Sequence, residues 1–339
     1  MAAPSFAWSM PPSVGGSMPA LCVFLAGLTA LTVTLFVRHE RSSNGVDWLF
    51  AKADAHAMLG GMPPELLLVY RIAVFVFCAD QLASQIQGAM FYTIWNFSLL
   101  TVYFLVALIN SATGCYHYRC DDGAKQPSFG LLGRPPPTPL AGFAQKLQLV
   151  LFEIEAPAAF LIDLVVWTVL VPAADAGAVA VCQDLANRCT HAYADQHNQT
   201  VAACIATQLH NSTLAECQRN EYNAQNAVMH SWGMYVVHGM NSLFIFIELV
   251  FSRLPIRPWH VFFTGWWATA YCVFQDFFWY PLHHQWMYFF MDTGALAVVP
   301  WMLGLLAVHW LFFFLSYSVQ SCKGCCGGAP APLNLEPQT

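Results

Sequence analysis

Long apolar stretches alternate with short polar segments along most of the chain. A helix that crosses the hydrocarbon core of a bilayer needs about 20 mostly apolar residues. Seven stretches approach this length, at residues 20–37, 65–83, 89–110, 147–171, 228–250, 259–279 and 293–316. The pattern predicts an all-α fold, a polytopic transmembrane helical bundle of about seven spanning helices over residues 20–316.

The composition changes this picture only by excluding other classes. Hydrophobic residues make up 57% of the 339 residues and charged residues 9%, whereas a soluble domain carries about 25% charged residues. The net charge of −6 offers no basic face for nucleic acid. No Walker loop or Gly-rich dinucleotide fingerprint is present, so we predict no cofactor. Membrane lipids are the expected surroundings, and the sequence identifies no protein partner.

Lys and Arg residues predict the orientation, because cytosolic loops are enriched in them. With the N-terminus outside and the C-terminus in the cytosol, the inner segments hold ten of the thirteen Lys and Arg residues. Residues 1–19 then form an extracytoplasmic arm, residues 111–146 a cytosolic loop and residues 317–339 a cytosolic tail. The arm lacks Lys and Arg, so the first apolar stretch is expected to be a retained helix rather than a signal peptide.

The predicted extracytoplasmic loop at residues 172–227 carries two N-glycosylation sequons, which begin at Asn198 and Asn211. It also contains four cysteines, namely Cys182, Cys189, Cys204 and Cys217. Four cysteines in an extracytoplasmic loop predict two disulfides with three possible pairings. The alternative is a glycosylated loop with free thiols. The aromatic-rich segment at 280–290 is expected at the outer interface, where Trp and Tyr are favoured.

Three cysteines follow the last apolar stretch closely: Cys322, Cys325 and Cys326. Juxtamembrane cysteines of this kind are candidates for palmitoylation. A structural zinc site is the alternative, but it needs four ligands, and no histidine follows in the tail. We therefore predict no metal. The chain is expected in the plasma membrane or an endomembrane.

Several polar residues fall within the predicted spans. A charge at the bilayer centre costs about 2.5 to 17 kcal/mol, so these side chains should face the bundle interior and find partners. The partners of Arg71 are expected to be Asp80 or the acidic residues of the fourth span. Each residue is either functional or part of a structural pair between helices. The set is Arg71, Asp80, Asn96, Glu153, Glu155, Asp163, Glu248 and Asp276.

The fifth span predicts a polar helix face. At about 100° per residue, His230, Asn241 and Glu248 fall within roughly 20° of one another, and His238 lies about 60–80° away on the same side. Such a face should line an interior cavity. In the third span, Thr93 could bond back to an earlier carbonyl, as Thr in membrane helices usually does. It could instead act as a nucleophile, which needs an adjacent base.

These residues carry a resemblance to a known family. The segment Phe91-Tyr-Thr-Ile-Trp-Asn-Phe resembles the aromatic-Thr-x-Trp pattern of the rolling stone family. The segment His238-Gly-Met-Asn-Ser, followed by Glu248 and by Ser252-Arg-Leu-Pro, is also similar, as is the order of spans from about residue 65 to 316. The wider group includes the androgen-induced membrane hydrolases. The resemblance implies a membrane-embedded Thr nucleophile and a His base that cleave fatty acid esters of hydroxy fatty acids.

By position, the nucleophile falls on Thr93 and the base falls on Asn241, where the hydrolases have His. An amide cannot accept the proton as imidazole does. His238 and His230 are the alternative bases. Thr93 should lie about 5 Å below the start of its helix, where His230 is similarly shallow, while His238 should lie about 15 Å deep. Both histidines stay candidates.

The resemblance also implies a second function, because rolling stone itself is associated with myoblast fusion. A non-enzymatic cell-surface protein in adhesion or cell fusion is therefore the alternative to a lipid ester hydrolase. A receptor or transporter is less favoured. No Asp-Arg-Tyr follows the third span, and no inverted repeat of the kind found in transporters is visible.

Overall fold

The computed structural model describes residues 64–85, 88–120, 143–192, 214–252, 254–284, 286–292 and 297–326, together with Gly27 and Thr34. All regular elements within these ranges are helical, which confirms the all-α class for this part of the chain. The N-terminal arm, nearly all of the first predicted span, both sequons, Cys204 and the end of the tail lie outside the described residues.

The helices follow one another in chain order, with three single π-helical turns among them. They are α1 (Pro64–Gln85), α2 (Tyr92–Cys120), α3 (Phe143–Val165), a π-turn (Val166–Leu170), α4 (Val171–Ala192), α5 (Leu214–Met229), α6 (Trp232–Tyr235), a π-turn (Val236–Met240), α7 (Asn241–Phe251), α8 (Val261–Phe274), a π-turn (Gln275–Trp279), α9 (Tyr280–His283) and α10 (Val298–Cys326). Short 3₁₀ turns occupy Pro258–His260 and Phe289–Met291.

Among the described residues, four helices are long and apolar enough to cross a membrane: Glu65–Gln85, Tyr92–Thr113, Trp232–Phe251 and Val298–Cys322. They correspond to the second, third, fifth and seventh predicted spans and support a membrane protein. The fourth and sixth predicted spans are also helical. Their polar residues, which include Glu153, Glu155 and Asp276, reduce their apolar character.

Two predicted loops contain more helix than the sequence pattern indicated. Helix α2 continues to Cys120, past the predicted end of its span at residue 110, and α3 begins at Phe143. Most of the segment at 172–227 lies in α4 and α5. The length of an apolar stretch predicts which part of a helix can lie in lipid. It does not predict how far the helix continues into water.

Two of the π-turns have a local cause in proline. Pro172 has no N–H to continue the α-helical ladder. Just before it, the Val171 N–H bonds to the Val166 carbonyl, five residues earlier. In the same way, the Tyr280 N–H bonds to the Gln275 carbonyl just before Pro281. Each wide turn inserts one extra residue and so changes the direction of the side chains that follow.

The chain divides into two compact units, residues 1–161 with 241–339, and residues 162–240. In the first unit α1 packs along α2, over a core that includes Phe97, Tyr103, Phe104 and Phe152. The outward faces of α1, α2 and α10 expose large apolar side chains, such as Val69, Val76, Ile109 and Leu311. A buried polar interior with an apolar exterior is the arrangement expected in lipid.

The second unit contains the helical hairpin of α4 and α5, which pack against each other. Cys182 on α4 and Cys217 on α5 form a disulfide that closes a sequence separation of 35 residues. This confirms one of the predicted disulfides and selects one of the three pairings. Cys189 is disulfide-bonded as well.

Candidate functional site

Arg71 on α1 and Glu248 on α7 form an ion pair in the interior of the first unit. Both side chains are fully buried. Arg71 also donates from Nη1 to Ser111 Oγ at 2.5 Å and to the Ala107 carbonyl at 3.5 Å. Burying either charge alone would be costly, so each is stabilised by the other and by these added hydrogen bonds.

The acidic partner of Arg71 is therefore neither Asp80 nor an acidic residue of the fourth predicted span, which were the partners predicted from the sequence. Asp80 is exposed, and its carboxylate accepts a hydrogen bond from the adjacent Gln81 side chain at 2.9 Å. The nearby acidic residues of α3, Glu153 and Glu155, have other partners. Residue spacing along one helix cannot show which distant helix packs beside it, and Glu248 is 177 residues away.

Glu153 on α3 is held by the segment that follows α7. Its Oε1 accepts the Arg257 backbone N–H at 2.6 Å, and its Oε2 is hydrogen bonded to His260 Nδ1. Glu153 and His260 are both fully buried. His260 was missed in the sequence because a lone histidine after Arg257-Pro-Trp carries no spacing signal.

Glu155, two residues before Pro157, has a different environment. Asn96 Nδ2 on α2 donates to Glu155 Oε2 at 2.9 Å. The other oxygens of this pair, Glu155 Oε1 and Asn96 Oδ1, are buried and have no hydrogen-bond partner among the described residues. Glu155 also interacts electrostatically with Cys78 on α1 and Tyr92 on α2.

Thr93 is buried at the start of α2, where it lies against Tyr288. Burial raises the pKa of Tyr288 to about 12, against the lowering effect of hydrogen bonds from the Tyr92 backbone and from the Thr93 side chain and backbone. The Tyr92 N–H donates to the Tyr288 hydroxyl at 3.1 Å. The phenol is therefore protonated at neutral pH, and it fixes the Thr93 hydroxyl in place.

The start of α2 is tied further to α8 and its π-turn. The Tyr271 hydroxyl and Gln275 Nε2 both donate to the Met90 carbonyl, at 2.8 and 2.9 Å. The rings of Tyr92 and Tyr271 are 5.1 Å apart. The sequence indicated an interfacial role for the aromatic segment at 280–290, and it gave no signal that Tyr288 contacts Thr93.

Thr93 differs from other hydroxyl residues of the same helix. Ser98, Thr101 and Thr113 donate to the carbonyls of Ile94, Phe97 and Ile109, each four residues earlier. That back-bonding is the usual arrangement for such residues in membrane helices. Among the described interactions, the Thr93 side chain is tied instead to the hydroxyl of Tyr288.

The two candidate histidines belong to the second unit. His238 lies in a π-turn with φ −130° and ψ 26°, it is buried, and its Nδ1 has no partner among the described residues. Its carbonyl accepts Trp167 Nε1 at 2.6 Å. Trp167 itself lies in the π-turn that follows α3, so this hydrogen bond joins two π-turns.

His230 does not extend the predicted polar face. It precedes the helix that begins at Trp232, is exposed, and its Nδ1 is hydrogen bonded to the Tyr235 hydroxyl at 2.8 Å. The prediction that His230 shares a helix face with Glu248 assumed about 3.6 residues per turn throughout. That assumption is wrong because the helix starts after His230 and contains a π-turn. The buried polar residues of this segment are His238, Asn241 and Glu248.

The remaining predicted residues are placed as follows. Asn241, like Thr93, belongs to the first unit, and its Oδ1 accepts the Ser242 N–H at 2.7 Å. Asp163 is half-buried in the second unit, and Asp276 is buried in the π-turn after α8. Cys322 is an exposed free thiol, while Cys325 and Cys326 lie in the last turn of α10.

Within the described residues, no group of three or more His, Cys, Asp or Glu side chains is arranged to hold a metal ion. Comparison with known proteins gives no match to a family model, to a curated protein or to a solved structure. The resemblance to the rolling stone family therefore stays a prediction that rests on short motifs.

Proposed function

We propose that this chain is a multi-pass integral membrane protein with seven spanning helices, its N-terminus outside and its C-terminus in the cytosol. Four helices of sufficient length and apolarity support a membrane-spanning bundle, as do the charged side chains buried inside an apolar exterior. The distribution of Lys and Arg supports the orientation. In cells, Asn198→Gln and Asn211→Gln should each remove one glycan from the protein. If neither substitution removes a glycan, the prediction of an extracytoplasmic loop is contradicted.

We further propose that the protein is a threonine hydrolase of lipid esters. The observation that carries this proposal is Thr93, whose buried hydroxyl is held by Tyr288 rather than by its own helix. In the proposed reaction the Thr93 oxygen attacks the ester carbonyl of a fatty acid ester of a hydroxy fatty acid. The acyl group is transferred to Thr93, the alcohol leaves with the proton, and water then releases the fatty acid.

The base is proposed from the remaining groups. Tyr288 is protonated at neutral pH, as an ordinary phenol is, and burial raises its pKa further, to about 12. We therefore assign it to positioning Thr93 rather than to taking its proton. The amide of Asn241 has no basic nitrogen. The resemblance therefore leaves His238 and His230, and mutation decides between them.

The test uses the purified full-length protein in lipid nanodiscs, a fatty acid ester of a hydroxy fatty acid and a fluorophosphonate probe. Thr93→Ala should abolish probe labelling and lower hydrolysis by about a hundredfold or more. Thr101→Ala is the matched control, because its hydroxyl donates to the Phe97 carbonyl of its own helix. Equal labelling and hydrolysis by wild type and Thr93→Ala would reject the proposal. His238→Gln and His230→Gln identify the base by the same assay.

A second candidate function is adhesion or fusion at the cell surface. The observation that favours it is the α4–α5 hairpin, a polar helical element held by the Cys182–Cys217 disulfide. Cells that display the full chain should aggregate or fuse more than cells that display the double variant Cys182→Ala/Cys217→Ala at equal surface level. Equal behaviour of the two would remove this candidate, and ester hydrolysis measured in parallel separates the two functions.

A further inference from the structure

Among the described residues of the first unit, three glutamates are fully buried, namely Glu153, Glu155 and Glu248, and they differ in what neutralises them. Glu248 faces the guanidinium of Arg71. Glu153 accepts the Arg257 N–H and is hydrogen bonded to the His260 ring. Glu155 has a single neutral donor among the described residues, the Asn96 side-chain amide at 2.9 Å. An ionised carboxylate buried in this way costs far more free energy than one amide hydrogen bond returns.

The groups that face Glu155 do not supply a positive charge. From α1 the facing titratable group is the Cys78 thiol, and from α2 it is the Tyr92 phenol. Both are neutral groups in their ordinary state. Ca²⁺ and Mg²⁺ prefer about six or more oxygen ligands, and structural zinc sites are built from Cys and His side chains. Glu155, Asn96 and Tyr92 together provide neither set. A metal ion is therefore a poor candidate for neutralising this carboxyl group.

The unpaired atoms indicate what does neutralise it. Glu155 Oε1 and Asn96 Oδ1 are both buried without a partner among the described residues. Both are acceptors while the carboxyl group is ionised, so they cannot satisfy each other. A proton on Oε1 makes that oxygen a donor to Asn96 Oδ1, while Asn96 Nδ2 continues to donate to Oε2. One proton thus satisfies two buried atoms and removes the buried charge.

We propose that Glu155 and Asn96 form a proton-binding site, in which Glu155 is a neutral carboxylic acid that donates its O–H to the Asn96 carbonyl oxygen. The site lies where α1, α2 and α3 contribute Cys78, Asn96 and Glu155. Its proton can leave only when water or a basic ligand enters the interior and takes over the lost hydrogen bond. This inference does not depend on hydrolase activity or on Thr93.

The test is infrared difference spectroscopy on the full-length protein in nanodiscs at neutral pH. Wild type minus Glu155→Gln should show the carbonyl stretch of a protonated carboxyl group, which shifts to lower frequency in heavy water. Glu248→Gln is the matched control, because Glu248 is paired with Arg71, and its difference spectrum should show carboxylate bands. Carboxylate bands in the Glu155 difference spectrum would overturn the proposal.

Two further measurements test the proposal even if one of these variants folds poorly. The amide of Glu155→Gln can replace the acid O–H, so its melting temperature should not fall below that of wild type. Asn96→Leu retains Glu155 but removes its partner, so the protonated carbonyl band should move to higher frequency. An unmoved band would contradict the pairing. A rise in the melting temperature of wild type with sodium ions, absent in Glu155→Gln, would show a metal cation in place of the proton.

Discussion

The interior of the first unit and the α4–α5 hairpin of the second are stabilised by different means. In the first unit, fully buried charges such as Arg71 and Glu248 are matched by partners on other helices. In the hairpin, no residue of α5 is buried, and a disulfide joins the two helices. In the first unit, whose exterior is apolar, the pairing of buried polar groups determines which helices pack together. Where a helix buries no side chain, a covalent link adds to the packing of the two helices.

The largest effect is expected from breaking the buried ion pair. Arg71→Met leaves Glu248 buried without its guanidinium and should lower the free energy of unfolding by about 3–5 kcal/mol. The double variant Arg71→Met/Glu248→Leu removes both charges and should recover much of that loss. Melting temperatures in detergent test this, and equal values for the single and double variants would show that the pair is not coupled.

Removing the disulfide should have the next largest effect, and a local one. Cys182→Ala/Cys217→Ala relaxes a closed segment with a sequence separation of 35 residues, which corresponds to about 3–4 kcal/mol of loop-closure entropy. Hydrogen exchange should increase in α4 and α5 and stay unchanged in α1 and α2. Cys322→Ser, a change at an exposed free thiol, is the control. Faster exchange in α1 would contradict separate stabilisation of the two regions.

A smaller loss of stability is expected when Glu153 loses its hydrogen bond to His260. His260→Leu leaves Glu153 with the Arg257 N–H and removes a hydrogen bond to a charged group, which contributes about 1.5–3 kcal/mol. Glu153→Gln/His260→Leu should be less destabilised than His260→Leu, because no unpaired charge is left. The melting temperatures of the two variants decide this, and the reverse order would mean that Glu153 is not charged.

The smallest effect is expected within the second unit, at the hydrogen bond between its π-turns. Trp167→Phe removes the donor to the His238 carbonyl and should cost about 1 kcal/mol. Hydrogen exchange should rise at residues 236–240. The control is Trp310→Phe, because Trp310 Nε1 is buried with no acceptor among the described residues. Unchanged exchange in Trp167→Phe would show that His238 holds its backbone without this contact.

Sequence reasoning predicted the helical class and the positions of the four apolar helices, because the length of an apolar run is a local property. It failed at Arg71, whose partner depends on which distant helices pack together. It also failed at His230, because the periodicity of 3.6 residues does not apply across the π-turn at Val236–Met240. Pro172 and Pro281 were available signals for the other two π-turns, since each lies two positions after the last residue of its turn.

The candidate site was predicted only in part. The sequence motif indicated Thr93, which the structure places among the buried polar residues. Tyr288 lies 196 residues along the chain from Tyr92, whose backbone it contacts, and no periodicity relates positions so far apart. Likewise the polarity of Glu155 was visible, but the difference between its single amide donor and the two donors of Glu153 required the packing of α3 against its neighbours.

The Arg71–Glu248 pair also imposes an order on biosynthesis. During synthesis of the proposed membrane protein, Arg71 is made well before its acidic partner, which lies 177 residues further along the chain. Ser111 follows after 40 residues and offers only a neutral acceptor. An arginine at the centre of a newly inserted helix costs about 2.5–3.5 kcal/mol at the translocon. Insertion of α1 before α7 therefore relies on its other apolar residues to offset this cost, and Arg71 gains its charged partner only when α7 is inserted.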